Sequence, residues 1–206
     1  SPDGKTAYVT NRMDDTVSVL DAASRNVRMT APVGDEPHGI LTDREGRWLY
    51  VLNTSSDDIW VLDSQTLKRA KVLRASNGPW SAALSPDGAQ LLISNTYSHE
   101  TGFRTPLASE VTVIETARQI VEDRRPASGT NLMTGIAWHP SGEFALATMN
   151  RTKSMVPMTR LEQGWTITNG LAIVWRDGEI DQLLLDEPNL GFADATDVAI
   201  TPDGRF

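Results

Sequence analysis

A turn followed by a strand recurs five times along this chain, and this repetition restricts the fold more than any single residue does. The first copy is Ser1-Pro-Asp-Gly4, followed by an extended stretch at residues 5–10. Pro fixes φ at the second turn position and Gly permits a positive φ at the exit, so these residues predict a tight turn. The β-branched and aromatic residues after it favour a strand. The later turn glycines are Gly46, Gly88, Gly142 and Gly204, which gives spacings of 42, 42, 54 and 62 residues.

The spacing of the turns predicts a β-propeller. A period of about 40–50 residues is typical of propeller blades, each a sheet of four antiparallel strands. In each repeat an inner strand precedes the turn, and a third strand such as Thr16-Val-Ser-Val-Leu-Asp21 alternates apolar and polar residues before an acid. We therefore predict an all-β chain that contributes about four blades to a larger ring. The predicted units are residues 1–34, 35–76, 77–127 and 128–188, with the inner strand of a further blade in residues 189–206.

The last predicted inner strand, residues 195–201, also permits a second architecture. It can begin a further blade of a larger ring, or it can pair with the three strands at residues 1–34 and close a ring of four blades. The same turn sequence occurs at both ends of the chain, as Ser1-Pro-Asp-Gly4 and Thr201-Pro-Asp-Gly204. This duplication favours the larger ring.

Charge and composition limit the partners and cofactors. The formal net charge is −8, which argues against nucleic acid or an anionic membrane surface as the main partner, because either needs a clustered basic footprint. The chain has no cysteine, which excludes disulfides, thiolate metal sites and covalently attached c-type haem in this segment. No apolar run reaches the length of a transmembrane helix. We expect no cofactor here, and a protein or a small polar molecule as the partner.

The repeats differ in length at one position. From the turn glycine to the end of the third strand there are 17 residues in the first two repeats, 27 in the third and 33 in the fourth. The added residues, 97–108 and 151–168, lie between the second and third strands of adjacent blades. Loops at this position all open on one face of a propeller, and insertions confined to one face are typical of the binding face of a repeat protein. We therefore expect a ligand or partner on this rim.

Both inserts contain polar, basic or aromatic residues that are suited to contacts. The second insert is basic in an acidic protein, which predicts a loop that docks an anion or a partner over the channel mouth. The competing interpretation is a lid that packs Trp165 on its own blade and leaves the charges in solvent. The first insert is either a contact loop or a surface loop without a further role. The candidate contact residues are His99, Arg104, Arg151, Lys153, Arg160 and Trp165.

A second candidate site lies at the channel mouth, on the inner strands. His38, Trp80 and Thr196 occupy the same position, eight residues before a turn glycine, and Asp197 follows Thr196. Side chains at this position surround the channel, so His38, Trp80 and Asp197 predict a pocket for a small polar ligand. The competing interpretation is that His38 belongs to a structural turn and satisfies nearby backbone groups.

The sequence specifies no catalytic group and no metal ligand. A metal held by His38, His99, Glu100 and Asp197 is conceivable, but no ligand spacing supports it. The chain has no nucleophile-elbow sequence. The acids Asp21 and Asp63 recur at equivalent positions, which indicates a turn-forming role. We assign no catalytic residue.

Several segments resemble the YVTN family of β-propeller repeats. Tyr8-Val-Thr-Asn11 is the sequence that names this family, and Pro37-His-Gly-Ile40 and the Ser-Pro-Asp-Gly turns are similar to it. The resemblance implies a seven-bladed ring in a periplasmic, secreted or cell-surface protein. The second insert also resembles loops of bacterial exported propellers that accompany c-type cytochromes and di-haem peroxidase-like domains, which implies electron transfer with the haem, or a metal, outside this chain.

Other members of this architecture suggest two alternatives. Lactonase-like hydrolases share it, so the enzyme alternative is a hydrolase whose site lies at the channel mouth around His38, Trp80 and Asp197. A purely structural surface-layer repeat is the other alternative, and it leaves both inserts unexplained.

Overall fold

The protein is a partial β-propeller in which each described regular element is a strand. The computed structural model describes residues 1–102, 105–152, 167–186 and 194–206. Strands that are consecutive in the chain pair antiparallel within four sheets. The first sheet has three strands: β1 (Thr6–Asn11), β2 (Thr16–Asp21) and β3 (Val27–Pro32).

The other three sheets have four strands each, with the inner strand first. The second contains β4 (Pro37–Thr42), β5 (Trp48–Asn53), β6 (Asp58–Asp63) and β7 (Arg69–Arg74). The third contains β8 (Pro79–Leu84), β9 (Gln90–Asn95), β10 (Ala108–Glu115) and β11 (Ile120–Ser128). The fourth contains β12 (Thr130–Trp138), β13 (Phe144–Thr152), β14 (Ile167–Trp175) and β15 (Ile180–Leu184).

The five predicted turns are present, and they have the same geometry. In each, the glycine N–H donates to the carbonyl oxygen three residues earlier, as from Gly4 to Ser1 at 3.0 Å and from Gly88 to Ser85 at 2.8 Å. The five glycines have φ between 69° and 75°, a region in which a side chain is strained. An Asp before the glycine also stabilises the turn. In the first turn, for example, the Asp3 carboxylate accepts from the backbone N–H of Lys5. The turns therefore form from residues within four positions of one another.

The apolar core consists of three clusters, one between each pair of consecutive sheets. Val17 and Val51 belong to the cluster between the first and second sheets. Leu52 and Ile93 belong to the next, and Leu92 and Met149 to the third. The strand faces that alternate apolar and polar residues therefore pack blade against blade, as a propeller requires.

The second insert is shorter than the sequence predicts. Strands β13 and β14 continue to pair beyond the predicted strand ends, with Arg151 opposite Thr168 and Thr152 opposite Ile167. Continued pairing is favourable because it gives the backbone N–H and C=O groups of these residues hydrogen-bond partners, which an irregular loop would not provide. Residues 153–166, the remainder of the insert, lie outside the described part of the chain. The first insert ends at residue 107, since Ala108 already belongs to β10.

The strand predicted at residues 195–201 does not form. These residues have no strand assignment, although the turn after them is present, with the Gly204 N–H donating to Thr201 O at 2.8 Å. Within the described residues no fourth strand pairs with β1, so the four-bladed closure is not present.

The described residues include no helix with the length and apolarity needed to cross a bilayer.

Candidate functional site

His38 and Trp80 form an aromatic pair at the ends of two inner strands. Their rings stack with centroids 3.6 Å apart and an interplanar angle of 24°. The His38 Nδ1 atom lies 3.0 Å from the backbone oxygen of Trp80. A carbonyl oxygen only accepts, so Nδ1 carries the proton of this hydrogen bond and Nε2 of the neutral ring is left as an acceptor. The hydrogen bond between His38 and the backbone, which the structural interpretation predicts, is therefore present. The pairing of His38 with Trp80 is present as well.

Glycines let the inner strands approach closely at the channel mouth. A Cβ on Gly39 would lie 2.5 Å from the backbone oxygen of Trp80. A Cβ on Gly135 would lie 2.4 Å from Cα and 2.5 Å from Oδ1 of Asp197. Real Cβ atoms do not approach backbone so closely, so both positions require the absence of a side chain. Gly135 in particular brings Asp197 next to the inner strand of the fourth sheet.

The inner strands enclose a cavity of about 290 Å³. His38, Trp80 and Asp197 line it, so the structure brings together three of the nine residues that the sequence singles out. The Asp197 side chain accepts from its neighbour's backbone N–H through Oδ1, at 2.8 Å from Val198 N. The walls between these groups are small residues and backbone: Gly39, Ser81, Gly135 and Thr196. The cavity thus combines an aromatic pair with a carboxylate and hydroxyl groups.

Arg12, which the sequence analysis missed, extends this site together with Glu36. The Arg12 guanidinium carbon lies 5.6 Å from the centroid of the Trp80 ring, within the range of a cation–π contact. Arg12 also pairs with Glu36 at 3.2 Å. The hydroxyl of Ser55 donates to Glu36 at 2.7 Å, and this bond, followed by those from Arg12, lowers the pKa of the Glu36 carboxyl. Arg12 lies in the short loop between β1 and β2, which opens on the same face as the inserts.

His99 binds to the wall of its own blade and does not line the cavity. Its Nε2 lies 2.6 Å from the Ser76 hydroxyl and 3.0 Å from Glu110 Oε2. The Ser76 hydroxyl also donates to Glu110 at 2.7 Å, and the Asn77 amide lies 3.4 Å from His99 Nδ1. These bonds attach the first insert to the third sheet. Among the described residues no group of three or more His, Asp and Glu side chains could hold a metal ion.

Of the remaining predicted contact residues, Arg151 is described, and it does not line the cavity. Arg151 is exposed on β13, where its backbone pairs with β14. Arg104, Lys153, Arg160 and Trp165 lie outside the described residues, so the docking loop and the lid both remain predictions. His139 lies in the turn between β12 and β13, on the opposite rim, where Nε2 lies 3.2 Å from Gly204 O.

A family model described as "Lactonase, 7-bladed beta-propeller" matches residues 1–79, which is less than half of the chain. None of the curated proteins matches the chain.

Solved propellers share the fold at low sequence identity. Hydrazine synthase of Kuenenia stuttgartiensis has a TM-score of 0.61 and 21% identity over 100% of this chain and 70% of that chain. The dihydro-heme d1 dehydrogenase NirN in complex with DHE has a TM-score of 0.67 and 15% identity over 100% of this chain and 39% of that chain. A β-propeller domain of Myceliophteria thermophila has a TM-score of 0.58 and 19% identity over 98% of this chain and 61% of that chain. At such identities the likeness concerns the fold alone.

Proposed function

We propose that this chain is a rigid binding platform that holds a small polar ligand at the channel mouth. One observation carries the proposal: His38, Trp80 and Asp197, which come from three different repeats, line a single cavity of about 290 Å³. A concave site with a few convergent polar groups on a rigid scaffold is the usual form of a small-molecule site. The sheets on either side pack through fully buried apolar clusters, so the site is preorganised.

The polar groups of the cavity favour a ligand that donates hydrogen bonds. His38 presents Nε2 as an acceptor because Nδ1 is committed to Trp80 O. Asp197 contributes a carboxylate, whose Oδ1 accepts from its neighbour's backbone N–H within the described part of the chain. Two acceptors beside an aromatic pair suit a polyol or an amine better than an anion.

Mutation of the acceptors tests this proposal. A panel of polyols, sugar lactones and small amines would be screened by thermal shift and the best compound measured by calorimetry. Asp197→Asn should weaken its binding about tenfold or more, since a charged acceptor is lost, which corresponds to at least about 1.4 kcal/mol. Asp14→Asn is the matched control, because Asp14 is an exposed acid outside the cavity. Equal affinity for the wild type and Asp197→Asn would reject the site.

Lactonase-like hydrolysis is a second candidate, favoured by the family match over residues 1–79, which include His38. In this case the free Nε2 of His38 would accept a proton from the attacking water. The test is turnover of gluconolactone above its spontaneous rate, with His38→Gln as the comparison. Binding of gluconolactone without turnover would be consistent with the binding platform and would exclude hydrolysis of this compound.

We further propose a YVTN-type protein that is exported and that works beside a haem protein. The supports are the Tyr8-Val-Thr-Asn11 sequence and the common fold of a dihydro-heme d1 dehydrogenase. A covalently attached c-type haem would lie outside this chain, since the chain has no cysteine to attach it. Co-purification of the complete polypeptide from its native membrane-free extract, with absorption spectroscopy of the complex, tests this setting. A haem-free complex that retains every native partner would reject it.

A further inference from the structure

The outer strands of the second and third sheets carry a concentration of positive charge. Residues 64–86 contain no Asp or Glu, although the whole chain has 27 acids against 19 Lys and Arg. The same stretch supplies four cations from β7 and the turn before it, and β11 with its preceding turn supplies two more. We call these six residues the basic seam: Lys68, Arg69, Lys71, Arg74, Arg118 and Arg124.

Contacts between the two blades hold the cations of the basic seam close together. Lys71 Nζ donates to the backbone oxygen of Arg118 at 3.2 Å. Arg124 Nη2 donates to the backbone oxygen of Arg74 at 2.8 Å. In each contact the cation of one blade binds the backbone of a cationic residue on the next blade. The basic seam therefore includes residues of both blades, which are joined by two hydrogen bonds across the blade boundary.

Few carboxylates neutralise the basic seam. Of the six cations of the basic seam, Arg118 alone has an ion pair within the described residues, with Glu115. Of the nearby acids, Asp123 pairs with Arg125, whereas Glu122 accepts only from the neutral amide of Gln90 among the described residues and its charge acts on Arg118. Asp58, opposite Arg74 in the ladder, accepts from the neutral groups of Asn53 and Trp60 and keeps its charge, but it forms no ion pair with Arg74 within the described residues. Like charges placed this close repel one another, and an anion that binds between them relieves this cost.

The other outer strands carry less positive charge. β3 has one cation, Arg28, which is ion-paired with Asp21, and the turn before it adds Arg25. β15 has none and carries Asp181, and the turn before it adds Arg176, which pairs with Asp87. Lysines on an edge strand often serve only to prevent edge-to-edge aggregation. That role would apply equally to every outer strand, so it does not explain why β7 and the turn before it carry four cations.

We propose that the basic seam docks an acidic segment of a partner protein on the outer circumference of the propeller. The β7 strand has six residues, about 20 Å at the rise of an extended chain, which a short acidic stretch can follow. Duplex nucleic acid and anionic bilayers fit less well, because both extend far beyond the seam and meet the field of a chain with net charge −8. The surface is separate from the channel-mouth cavity, so it does not depend on the ligand proposed there.

A labelled oligoglutamate peptide tests the proposal by fluorescence anisotropy with the whole chain, and an oligoglutamine peptide is the neutral control. We expect binding of oligoglutamate that weakens steeply as salt is added, since surface charges are screened. The double variant Lys71→Glu, Arg74→Glu should lower the affinity about tenfold or more. The matched control is Lys5→Glu, Arg205→Glu, which makes the same change in net charge at exposed turns and should keep most of the affinity.

Three outcomes would overturn the basic seam as a docking site. The first is equal weakening by both double variants, which would show a response to net charge only. The second is self-association of the Lys71→Glu, Arg74→Glu variant with unchanged peptide binding. This result would show that the cations prevent edge-to-edge aggregation. The third is binding of duplex DNA or phosphatidylserine vesicles as tight as that of oligoglutamate. Thermal unfolding of both variants identifies any loss of affinity that comes from misfolding.

Discussion

Single residues at equivalent repeat positions have different environments, and Tyr8 and Tyr50 are an instructive pair. Each stands four residues after a turn glycine. The Tyr8 hydroxyl donates to Ser64 O at 3.3 Å. Tyr50 is 1% exposed, and its buried hydroxyl has no hydrogen-bond partner among the residues that the structure describes. Burial, with a contribution from the charge of Asp43, raises the pKa of Tyr50 to about 12.

Removal of the Tyr50 hydroxyl should not destabilise the protein. We expect Tyr50→Phe to leave the free energy of unfolding unchanged or to raise it by up to about 1 kcal/mol, because a buried unpaired hydroxyl is lost. Tyr8→Phe, the matched control, should lower it by up to about 1 kcal/mol through the lost bond to Ser64. Urea unfolding at neutral pH measures both, and a loss above about 1 kcal/mol for Tyr50→Phe would show a partner for this hydroxyl.

The same tyrosine predicts an alkaline loss of stability. The unfolded chain releases the Tyr50 proton near pH 10 and the folded chain near pH 12, so folding becomes less favourable as the pH rises between these values. The loss is on the order of 2 kcal/mol over this window, and Tyr50→Phe should lack it. Unfolding curves of both proteins across the window measure the difference.

Gly135 tests the close approach at the channel mouth. We expect Gly135→Ala to displace residues 194–206, because its Cβ would lie 2.4 Å from Asp197 Cα. Hydrogen exchange in this segment should accelerate, and the protein should lose about 1–3 kcal/mol of stability. Gly102→Ala is the control, since the nearest atom that its Cβ would meet among the described residues is Thr105 Oγ1 at 3.7 Å. Unchanged exchange in Gly135→Ala would mean that the strand needs no glycine here.

Among the elements, the turn from third to outer strand shows how an acid shapes the chain. The Asp63 carboxylate accepts from the backbone N–H groups of Gln65 and Thr66 and from the Thr66 hydroxyl. These bonds, the one from the Thr66 hydroxyl first, lower the pKa of Asp63. Asp21 makes the same set with Ala23 and Ser24. The predicted turn-forming role of the recurring acids is confirmed for these two.

Loss of this acid should weaken the hairpin. Asp63→Ala should cost about 1 kcal/mol, because two backbone donors lose their acceptor, whereas Asp14→Ala, without a side-chain bond of this kind, should cost less than about 0.5 kcal/mol. Since the pKa of Asp63 is lowered on folding, its contribution is complete above pH about 4 and is lost as the pH falls. The difference between the two variants should therefore shrink in acid, and a constant difference would contradict the role of the carboxylate.

The elements that local residues determine were predictable from the sequence, and the contacts between distant segments were not. The turns and the alternating strands depend on neighbours within a few positions, so their order in the chain identified the propeller. His38 and Trp80 were expected side by side because equivalent inner-strand positions are adjacent in a propeller. Arg12 reaches the same site from another blade, and no local pattern signals that contact. His99 is attached through Ser76 and Glu110, which are 23 and 11 residues away in sequence.

The whole molecule is a series of blades, each joined mainly to its neighbours. The free energy of unfolding of such a repeat protein is approximately the sum of the intrinsic stabilities of the blades and of the contributions of the interfaces between them. Most side chains at the interfaces are apolar, but Arg125 is a buried exception with 8% side-chain exposure. From β11 it donates to Trp175 O at 2.8 Å and to Arg176 O at 3.3 Å in the fourth sheet, while Nε pairs with Asp123 at 3.1 Å. A cation thus satisfies carbonyl groups across the blade boundary.

Replacement of Arg125 should weaken this one interface. We expect Arg125→Met to lower the free energy of unfolding by about 2–3 kcal/mol, because two carbonyl oxygens lose a charged donor and methionine keeps the apolar contacts. Urea unfolding gives the total, and hydrogen exchange should accelerate in β14 and β15 while the pairing of the first and second sheets keeps its protection. Arg124→Met, on the same strand, removes one exposed bond to Arg74 O at the other interface of this blade and should cost less, about 0.5–1 kcal/mol, without faster exchange in β14 and β15. Faster exchange throughout all four sheets in Arg125→Met would instead show that the blades unfold as a single cooperative unit.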